Sequence, residues 1–295
     1  EIDLKKLVKQ GLDKIAHRGP DEDGILTFGS VCMGHVRLTI LDQIGGSQPM
    51  HLDEKIILIY NGEIYNTQEL RQELEKKNVI FVSDHSDTEV IYRGFQYEGA
   101  SFFKKLSGMF SIVIYDIKNN KIYAIRDISG IKPLYFLNQS NTFGFASEIK
   151  AFSSFKLDKS FECLSQIFLD RATTGSNTLF SEVTRVKPGE LITFNVKNMS
   201  FVRNEDFLKY TSVELKSIKE LNISSVLEKA VKRQLIADTK VGIFLSGGVD
   251  SSILAAYASR YGVKDAFTIS TDSTLDEAKY AEMVQKKFDL NLHIL

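Results

Sequence analysis

The sequence contains only two cysteines, Cys32 and Cys163, and its 37 Lys and Arg against 38 Asp and Glu leave a formal net charge of −1. Two cysteines cannot form a disulfide framework, which points to a reducing compartment, so we expect a cytoplasmic protein. The near-neutral charge excludes the strongly basic balance of nucleic-acid-binding proteins. No apolar run reaches the length of a membrane span, and the first residues lack the apolar core of a signal peptide. We therefore expect neither nucleic acid nor a membrane as a partner.

Nothing in the composition argues against a folded enzyme. The chain is 43% hydrophobic and 25% charged, which is ordinary for a globular protein with a sizeable core. Its 295 residues exceed the size of one typical domain and predict two.

The first two-thirds of the chain has short β-rich runs, bounded by turn residues, with a few helices between them. The runs predict strands at 25–28, 31–41, 56–60, 110–116, 121–126, 134–137 and 142–146. Helical patterns occur at 67–77 and 87–97. Consecutive hairpins with helices outside them indicate layered sheets of mixed α and β type.

Beyond residues 201–221, where the pattern weakens, strands alternate with helices. We predict helices at 223–235, 251–261 and 275–288, and strands at 241–245, 266–270 and 292–295. This alternation is typical of a parallel, doubly wound sheet. Three strands would leave one edge of such a sheet uncovered, so we expect this domain to be incomplete in the sequence.

The stretch VGIFLSGGVDSSIL at 241–254 predicts a strand, a tight turn and a helix that together suit an anion. Gly247 and Gly248 would let the backbone approach a ligand closely. Asp250 would repel a phosphate unless a divalent cation lay between them, which makes bound Mg²⁺ plausible. The loop lacks the lysine of the common phosphate loop, so it is poorly suited to transfer of a γ-phosphate. The alternative is a glycine-rich turn with no ligand.

Four polar segments stand out within the first region: HRGPD (17–21), RLTILD (37–42), NGEIYN (61–66) and SDTEVI (86–91). Each has a purely structural interpretation as well. Arg37 and Asp87 could form an ion pair, and Asn61-Gly62 is a common hairpin turn. Pro20 could simply rigidify its loop.

Together these segments resemble the glutaminase domain of class II glutamine amidotransferases. In this order, the four segments are followed by GMFSIVIYD, RDISGIKPLYF and FASEIKA, and then by SGGVDSS. The whole set resembles the glutamine-hydrolysing asparagine synthetase family of the B type. The resemblance implies an α+β N-terminal domain at 1–203, with the four-layer αββα fold of N-terminal-nucleophile hydrolases. It implies an incomplete α/β doubly wound parallel-sheet domain, similar to ATP pyrophosphatases, at 204–295.

The resemblance also implies a set of glutamine-binding residues: Arg37, Leu38, Thr39, Ile40, Asn61, Gly62, Glu63 and Asp87. Arg37 matches the arginine that grips the glutamine α-carboxylate, for which a planar guanidinium is suited. Asn61 and Gly62 match the oxyanion hole, and Glu63 and Asp87 match the acids that contact glutamine. Asp87 suits the substrate's α-ammonium group.

The implied ATP-binding residues lie in the second domain: Leu245, Ser246, Gly247, Gly248, Val249, Asp250, Ser251, Ser252 and Ile269. Leu245 and Ile269 match positions whose backbone lies along the adenine and ribose. Asp250 matches the aspartate that holds Mg²⁺ and pyrophosphate. ATP and Mg²⁺ are therefore the expected cofactors.

The sequence departs from the family at its first residue. The family's glutaminase uses a cysteine at the mature N-terminus as nucleophile, with its own α-amine as base, and Glu1 cannot do this. We expect Cys32 and Cys163 to be core residues, because free cysteine packs as a small hydrophobe. Either a short segment bearing Met-Cys-Gly precedes Glu1, or this homologue lacks the nucleophile. The synthetase part is likewise expected to continue past Leu295.

The expected function is glutamine-dependent synthesis of asparagine from aspartate, with AMP and pyrophosphate released. One alternative is a related amidotransferase acting on another carboxylate, such as a surface-polysaccharide or β-lactam-type precursor. Another is a homologue whose inactive glutaminase domain serves as a docking or regulatory module. Glutamine and aspartate, or another carboxylate acceptor, are the expected small-molecule partners, and the protein could form a homodimer.

Overall fold

The structure is a computed structural model that describes residues 3–209, 222–270 and 277–295. The chain divides into two compact units, 1–211 and 212–295. The domain bounds 1–203 and 204–295 stay a prediction. Most of the expected linker at 201–221 lies outside the described residues. The same holds for the first two residues of the helix expected at 275–288. Among the described residues, no helix is both long enough and apolar enough to cross a membrane.

The first unit contains four α-helices and ten strands among its described residues. In chain order they are α1 (Leu4–Ile15), β1 (Glu22–Phe28), β2 (Val31–Arg37), β3 (Ile56–Ile64), α2 (Thr67–Glu75), α3 (Asp87–Glu98), β4 (Gly108–Asp116), β5 (Lys121–Arg126), β6 (Tyr135–Gln139), β7 (Thr142–Ala146), α4 (Phe161–Asp170), β8 (Val183–Arg185), β9 (Leu191–Asn195) and β10 (Ser200–Asn204).

A five-stranded antiparallel sheet, in the order β10-β9-β5-β4-β3, forms the centre of this unit. Its strands are apolar on both faces because both faces are covered. On one face, Leu58 and Ile112 belong to the core that includes Ile91 of α3. On the other, Ile57 and Val113 belong to a core shared with Met33 of β2 and with β6. Alternating side chains of the same strands thus bind the sheet to two different neighbours.

The second β layer consists of two separate sheets, β1-β2 and β7-β6-β8. Helix α1 covers β2 from outside and packs so closely that a Cβ added at Gly34 would lie 2.5 Å from Cγ1 of Val8. The order is therefore helices α2 and α3, the central sheet, the second β layer and helix α1. This arrangement is the predicted four-layer αββα fold.

A cavity of about 670 Å³, which we call the large cavity, lies inside this second layer. It is lined by apolar side chains such as Leu12, Met33, Phe145 and Phe152, from α1, β2, β7 and the turn after β7. Within the described residues, β2 pairs along one edge with β1, and β7 pairs along one edge with β6. The cavity therefore borders strand edges that have no partner strand in the described part of the chain.

The second unit alternates strands and helices as predicted. Its elements are α5 (Ile223–Arg233), β11 (Ile243–Phe244), α6 (Val249–Arg260), β12 (Asp265–Thr268), α7 (Ala278–Phe288) and β13 (Asn291–Ile294). Strands β11, β12 and β13 are parallel and neighbour one another in that order. Small residues such as Ala255, Ala266 and Ala281 let the helices approach the sheet, with Leu245 and Leu290 completing the core.

Several element bounds differ from the sequence-based expectation. The strand expected over 31–41 ends at Arg37, because Arg37 donates to the carbonyl oxygens of Leu41, Asp42 and Gln43 and holds them in a turn. The strand expected at 241–245 is reduced to Ile243–Phe244. Strands β8, β9 and β10 were not predicted, although β9 and β10 extend the central sheet beyond β5.

Candidate functional site

A second cavity of about 270 Å³, which we call the small cavity, opens where β2 and β3 approach the N-terminus of α3. Seven of the eight expected glutamine-site residues line it: Arg37, Leu38, Ile40, Asn61, Gly62, Glu63 and Asp87. Thr39 does not line it, and its backbone N–H instead donates to the Asp21 carboxylate of the HRGPD segment at 2.8 Å. The fold therefore brings together residues that lie up to 50 positions apart.

Asn61 and Gly62 lie inside β3, paired with Ser111 and Phe110 of β4, so the hairpin-turn interpretation of this dipeptide is wrong. A Cβ at Gly62 would lie 2.1 Å from the Met109 carbonyl oxygen, so only glycine allows the two strands to approach this closely. The Asn61 side-chain nitrogen is buried and has no hydrogen-bond partner among the described residues. A buried donor without an acceptor is costly, and such a donor is suited to a ligand oxygen.

Neighbouring side chains hold the backbone of Tyr60, the residue that precedes Asn61 in the sequence. The Nε2 of His35 lies 3.0 Å from the Tyr60 carbonyl oxygen, and the Tyr60 N–H donates to the Gln48 side-chain oxygen at 2.6 Å. Burial lowers the pKa of His35 to about 4, so its imidazole is neutral and donates through Nε2 to that carbonyl. Tyr60, the residue before Asn61, is thereby held at both its N–H and its carbonyl group. The polar His35 within the apolar strand β2 is the sequence signal that could have identified His35 as part of the site.

Two acids face the cavity from different elements. Asp87 begins α3, where the Ser86 hydroxyl caps the helix, and its buried carboxylate accepts from the Tyr60 hydroxyl at 2.8 Å. Burial raises the pKa of Asp87 despite this hydrogen bond. Burial, followed by repulsion from Asp87, also raises the pKa of Glu63 from 4.5 to about 8, against the opposing effect of Lys132. Within the described chain, the Glu63 carboxylate accepts no hydrogen bond.

The raised pKa of Glu63 predicts a pH-dependent stability. The folded protein holds the Glu63 proton more tightly than the unfolded chain, so this stabilisation is complete below pH 4.5 and is lost as the pH rises towards 8. We therefore expect Glu63→Gln to become progressively more stable relative to the parent protein between about pH 5 and about pH 8. Thermal unfolding across this range measures the effect, with Glu54→Gln on an exposed turn as control. A difference in melting temperature that does not change with pH would contradict it.

The Arg37 guanidinium is directed at its own loop in this structure. Its NH1 donates to Glu22 at 3.1 Å and to the Gln43 carbonyl, and its NH2 donates to the carbonyls of Leu41 and Asp42. The alternative of an Arg37–Asp87 ion pair is therefore wrong, because Glu22 is the partner of Arg37. Four hydrogen bonds occupy the terminal nitrogens that would grip a carboxylate.

Two further cations line the small cavity, and neither was singled out from the sequence. Arg18 donates to Glu148 at 3.0 Å, which connects the HRGPD and FASEIKA segments. Lys132, from the RDISGIKPLYF segment, is half-buried, and its backbone N–H donates to the buried Asp127 carboxylate at 2.9 Å. Only the packing shows that these two cations lie at the cavity.

The two cysteines lie away from the small cavity. Cys163 is buried in α4, as expected for a core residue. Cys32 is half-buried on β2, lines the large cavity and accepts from the Thr27 hydroxyl at 3.3 Å. Neither sulfur lies among the residues that surround Asn61 in the small cavity.

In the second unit, the expected ATP-binding residues follow the carboxyl ends of two adjacent parallel strands. Residues 245–248 connect β11 to α6, residues 249–252 form the first turn of α6, and Ile269 directly follows β12. Leu245 is buried in the core, whereas Val249 and Ile269 are exposed. Ligands of open parallel sheets bind at this edge.

The loop itself has the form of an anion site. Gly247 has φ +79°, and a Cβ there would lie 2.4 Å from Cβ of Tyr280, so glycine is required on both counts. The hydroxyls of Ser246 and Ser251 lie 3.1 Å apart, and Gly248 at the N-cap of α6 provides no side-chain cap. The N–H groups of this first turn are suited to a phosphate.

Asp250 lies in the first turn of α6, next to Ser251 and Ser252. No group of three or more His, Cys, Asp or Glu side chains that could hold a metal ion occurs in the described residues. A single carboxylate fits Mg²⁺ that is bound mainly through substrate phosphates, which is the usual mode for this ion. ATP with Mg²⁺ is therefore compatible with the residues present.

Comparisons with known proteins assign the chain to a family. Residues 1–207 match the glutamine amidotransferase domain family, and residues 222–295 match the asparagine synthase family. The chain therefore belongs to the glutamine amidotransferases, and residues 222–295 of its second unit are similar to asparagine synthases.

Among curated relatives, the chain is similar to asparagine synthetase [glutamine-hydrolyzing] 1 of Bacillus subtilis, with 37% identity over 88% of this chain and 42% of the relative. It is also similar to the amidase chyE of Penicillium rubens, with 31% identity over 98% of this chain and 46% of the relative. The chain thus spans less than half the length of these relatives.

A solved structure supports the fold. The glutamine phosphoribosylpyrophosphate amidotransferase from B. subtilis, complexed with ADP and GMP, matches with a TM-score of 0.51 and 16% identity, over 98% of this chain and 78% of that one. At this identity the likeness concerns the fold alone.

Proposed function

We propose that the first unit binds glutamine and releases its amide nitrogen as ammonia. The observation that carries this proposal is the buried Asn61 side-chain nitrogen, which has no acceptor among the described residues and lies in the same cavity as Glu63 and Asp87. The acids are suited to the α-ammonium group of an amino acid, and Asn61 is suited to the oxygen of the amide under attack.

In this proposal, the Asn61 side chain and the Gly62 backbone N–H stabilise the negative charge that develops on the amide oxygen. His35 and Gln48 hold the backbone of Tyr60, next to Asn61, which would limit the reorganisation needed when the charge forms. Hydrolysis consumes water and yields glutamate and ammonia. Asp87 and the ionised form of Glu63 retain the ammonium group of the substrate.

The nucleophile of this reaction is the family's N-terminal cysteine, if the native chain carries it upstream of Glu1. The large and small cavities share Tyr60, Asn61 and Ser147 in their walls. The large cavity therefore borders the proposed oxyanion site at these residues.

We further propose that the second unit is part of a site for ATP and Mg²⁺. Gly247, Gly248 and the hydroxyls of the 246–252 loop would hold the β and γ phosphates, and Asp250 would hold Mg²⁺. The carboxylate of aspartate would attack the α-phosphorus, which gives aspartyl-AMP and pyrophosphate. Ammonia would then displace AMP and form asparagine. This chemistry is supported by the similarity of residues 222–295 to asparagine synthases.

A second candidate acceptor is a carboxylate other than aspartate. It is favoured by the similarity to the amidase chyE, which extends over 98% of this chain. The same glutaminase and adenylation steps would apply, and only the acceptor would differ.

One experiment separates these acceptors. The full-length protein is given glutamine labelled with ¹⁵N in its amide, together with ATP, Mg²⁺ and aspartate, and the products are analysed by mass spectrometry. We expect labelled asparagine in equal amount to AMP and pyrophosphate. Labelled ammonia without labelled asparagine would support the second candidate, and no release of label from glutamine would refute both.

A further inference from the structure

Tyr60 contacts both halves of the site in the small cavity. It lies in β3 directly before Asn61, and only 4% of it is exposed. Its phenolic hydroxyl donates to the Asp87 carboxylate at 2.8 Å. Its ring lies against Gly62, since a Cβ added there would be 2.9 Å from Cε2 of the ring. One side chain therefore contacts the acid proposed for the substrate's ammonium group and the backbone proposed for the oxyanion.

The backbone of Tyr60 is held independently of its side chain. Its N–H donates to the Gln48 side-chain oxygen at 2.6 Å, and its carbonyl oxygen lies 3.0 Å from Nε2 of His35. Its strand also pairs with β4, where Ile112 lies opposite Tyr60. Removal of the hydroxyl would leave all of these backbone contacts in place. The roles of the hydroxyl and of the backbone can therefore be tested separately.

The Tyr60 hydroxyl has a defined effect on the buried Asp87. Burial raises the pKa of Asp87, and the hydrogen bond from Tyr60 is the strongest opposing influence, ahead of those from Ile64 and Thr88. An acid that binds an ammonium group has to be ionised, so loss of the hydroxyl would weaken this binding. Burial and the charges of Asp87 and Glu63 raise the pKa of Tyr60 well above 10, so its hydroxyl stays a donor near neutral pH.

The other charged side chains around Asp87 come from several elements. Glu63 of β3 and Asp87 repel each other, and Lys132 acts on Glu63, although the Lys132 ammonium group forms no hydrogen bond or ion pair with the described residues. Arg18 and Arg37 also line the cavity, and each forms an ion pair with a glutamate. Within the described chain, none of these four side chains is hydrogen-bonded to Asp87. The tyrosine hydroxyl is thus its donor from the facing strand.

We propose that Tyr60 is a positioning residue for both ends of the substrate. Its hydroxyl holds the Asp87 carboxylate ready for the α-ammonium group, and its backbone, fixed by His35 and Gln48, sets the place of Asn61 at the amide oxygen. Different atoms of one residue thus serve substrate binding and the transition state. This inference rests on the proposed glutaminase function, because it takes glutamine as the substrate.

The test measures release of ammonia from glutamine by the full-length protein at several pH values. We expect Tyr60→Phe to raise KM by about tenfold and to leave kcat within about twofold, because it removes a hydrogen bond to the charged group that binds the ground state. The acid limb of the kcat/KM profile should move to higher pH, since Asp87 then ionises less readily. Glutaramate, which is glutamine without its α-ammonium group, should inhibit the parent and the variant equally.

The backbone half of the proposal has its own variant. Gln48→Met removes the acceptor of the Tyr60 N–H and keeps a side chain of similar length. We expect it to lower kcat by about tenfold with less than a twofold change in KM, because a displaced Asn61 would fail mainly in the transition state. A rise in KM at constant kcat would overturn this half.

Tyr115→Phe is the matched control, because Tyr115 is a buried tyrosine of β4 whose hydroxyl donates to Asn120 and which does not line the small cavity. It should change neither KM nor kcat. If Tyr60→Phe does not fold, as judged by thermal unfolding, 3-fluorotyrosine at position 60 provides a more acidic hydroxyl and should move the acid limb to lower pH.

Two outcomes separate the failure of this inference from the failure of the function. An unmoved acid limb, or a loss of kcat at constant KM in Tyr60→Phe, overturns the role of the hydroxyl and leaves the glutaminase proposal intact. Absence of ammonia release by the parent protein refutes the glutaminase proposal, and this inference with it.

Discussion

Asp127→Ala is expected to lower the free energy of unfolding by about 4 kcal/mol, because it removes the acceptor of several buried N–H groups at once. The Asp127 carboxylate is fully buried and accepts from the backbone N–H groups of Ser129, Ile131, Lys132 and Phe110 at 2.9–3.3 Å. Each donor left without a partner costs about 1–3 kcal/mol, and water reaching some of them reduces the sum. Urea unfolding of the parent and the variant measures the difference.

Asp116→Ala is the control for this result. Asp116 accepts from Asn119 in the turn after β4, and there the N–H and the side-chain amide are exposed to water when the carboxylate is removed. We expect a loss below about 1 kcal/mol for this variant. A loss of similar size for both aspartates would mean that Asp127 has no special role in the fold.

Asn61→Ala is expected to lower kcat for glutamine hydrolysis by about 10²–10³-fold in the full-length protein, with little change in KM. The reason is that an oxyanion donor interacts most strongly with charge that exists only in the transition state. The buried and unpartnered Asn61 nitrogen is the basis for this expectation, which rests on the proposed function. Release of ammonia from glutamine at several substrate concentrations separates kcat from KM.

Asn119→Ala provides the matched control, because Asn119 lies in an exposed turn and does not line the small cavity. It should retain full glutaminase activity. If Asn61→Ala instead raised KM and left kcat unchanged, Asn61 would bind the ground state of the substrate, and the oxyanion role would be wrong.

Much of the fold follows from local patterns. The helix expected at 87–97 begins at Asp87 as predicted, because the Ser86 hydroxyl accepts from the Glu89 N–H and acidic residues occupy the first turn. The strand over 121–126 has the predicted bounds. Strands β8, β9 and β10 were missed because strands of three to five residues carry little periodic signal. Strands β8 and β9 also pair with β6 and β5, which lie far away in the sequence.

The site was only partly accessible from the sequence. The motifs identified Asn61, Gly62, Glu63 and Asp87, which share one cavity in the structure. They did not identify Lys132, because a lysine in a loop is usually solvated and only packing shows which one faces a cavity. The motifs also could not show that the Arg37 guanidinium is occupied by Glu22 and three carbonyls.

The sequence by itself therefore determined the family and the two types of domain, and it predicted which residues at the ends of strands and helices carry chemistry. These depend on short-range patterns: capping, alternation and glycine-rich turns. Only the tertiary structure decided which charges are neutralised and which remain available, including the raised pKa of Glu63 and the unpaired ammonium of Lys132. The physical reason is that desolvation and pairing depend on groups from distant parts of the chain, which only the packed fold brings together.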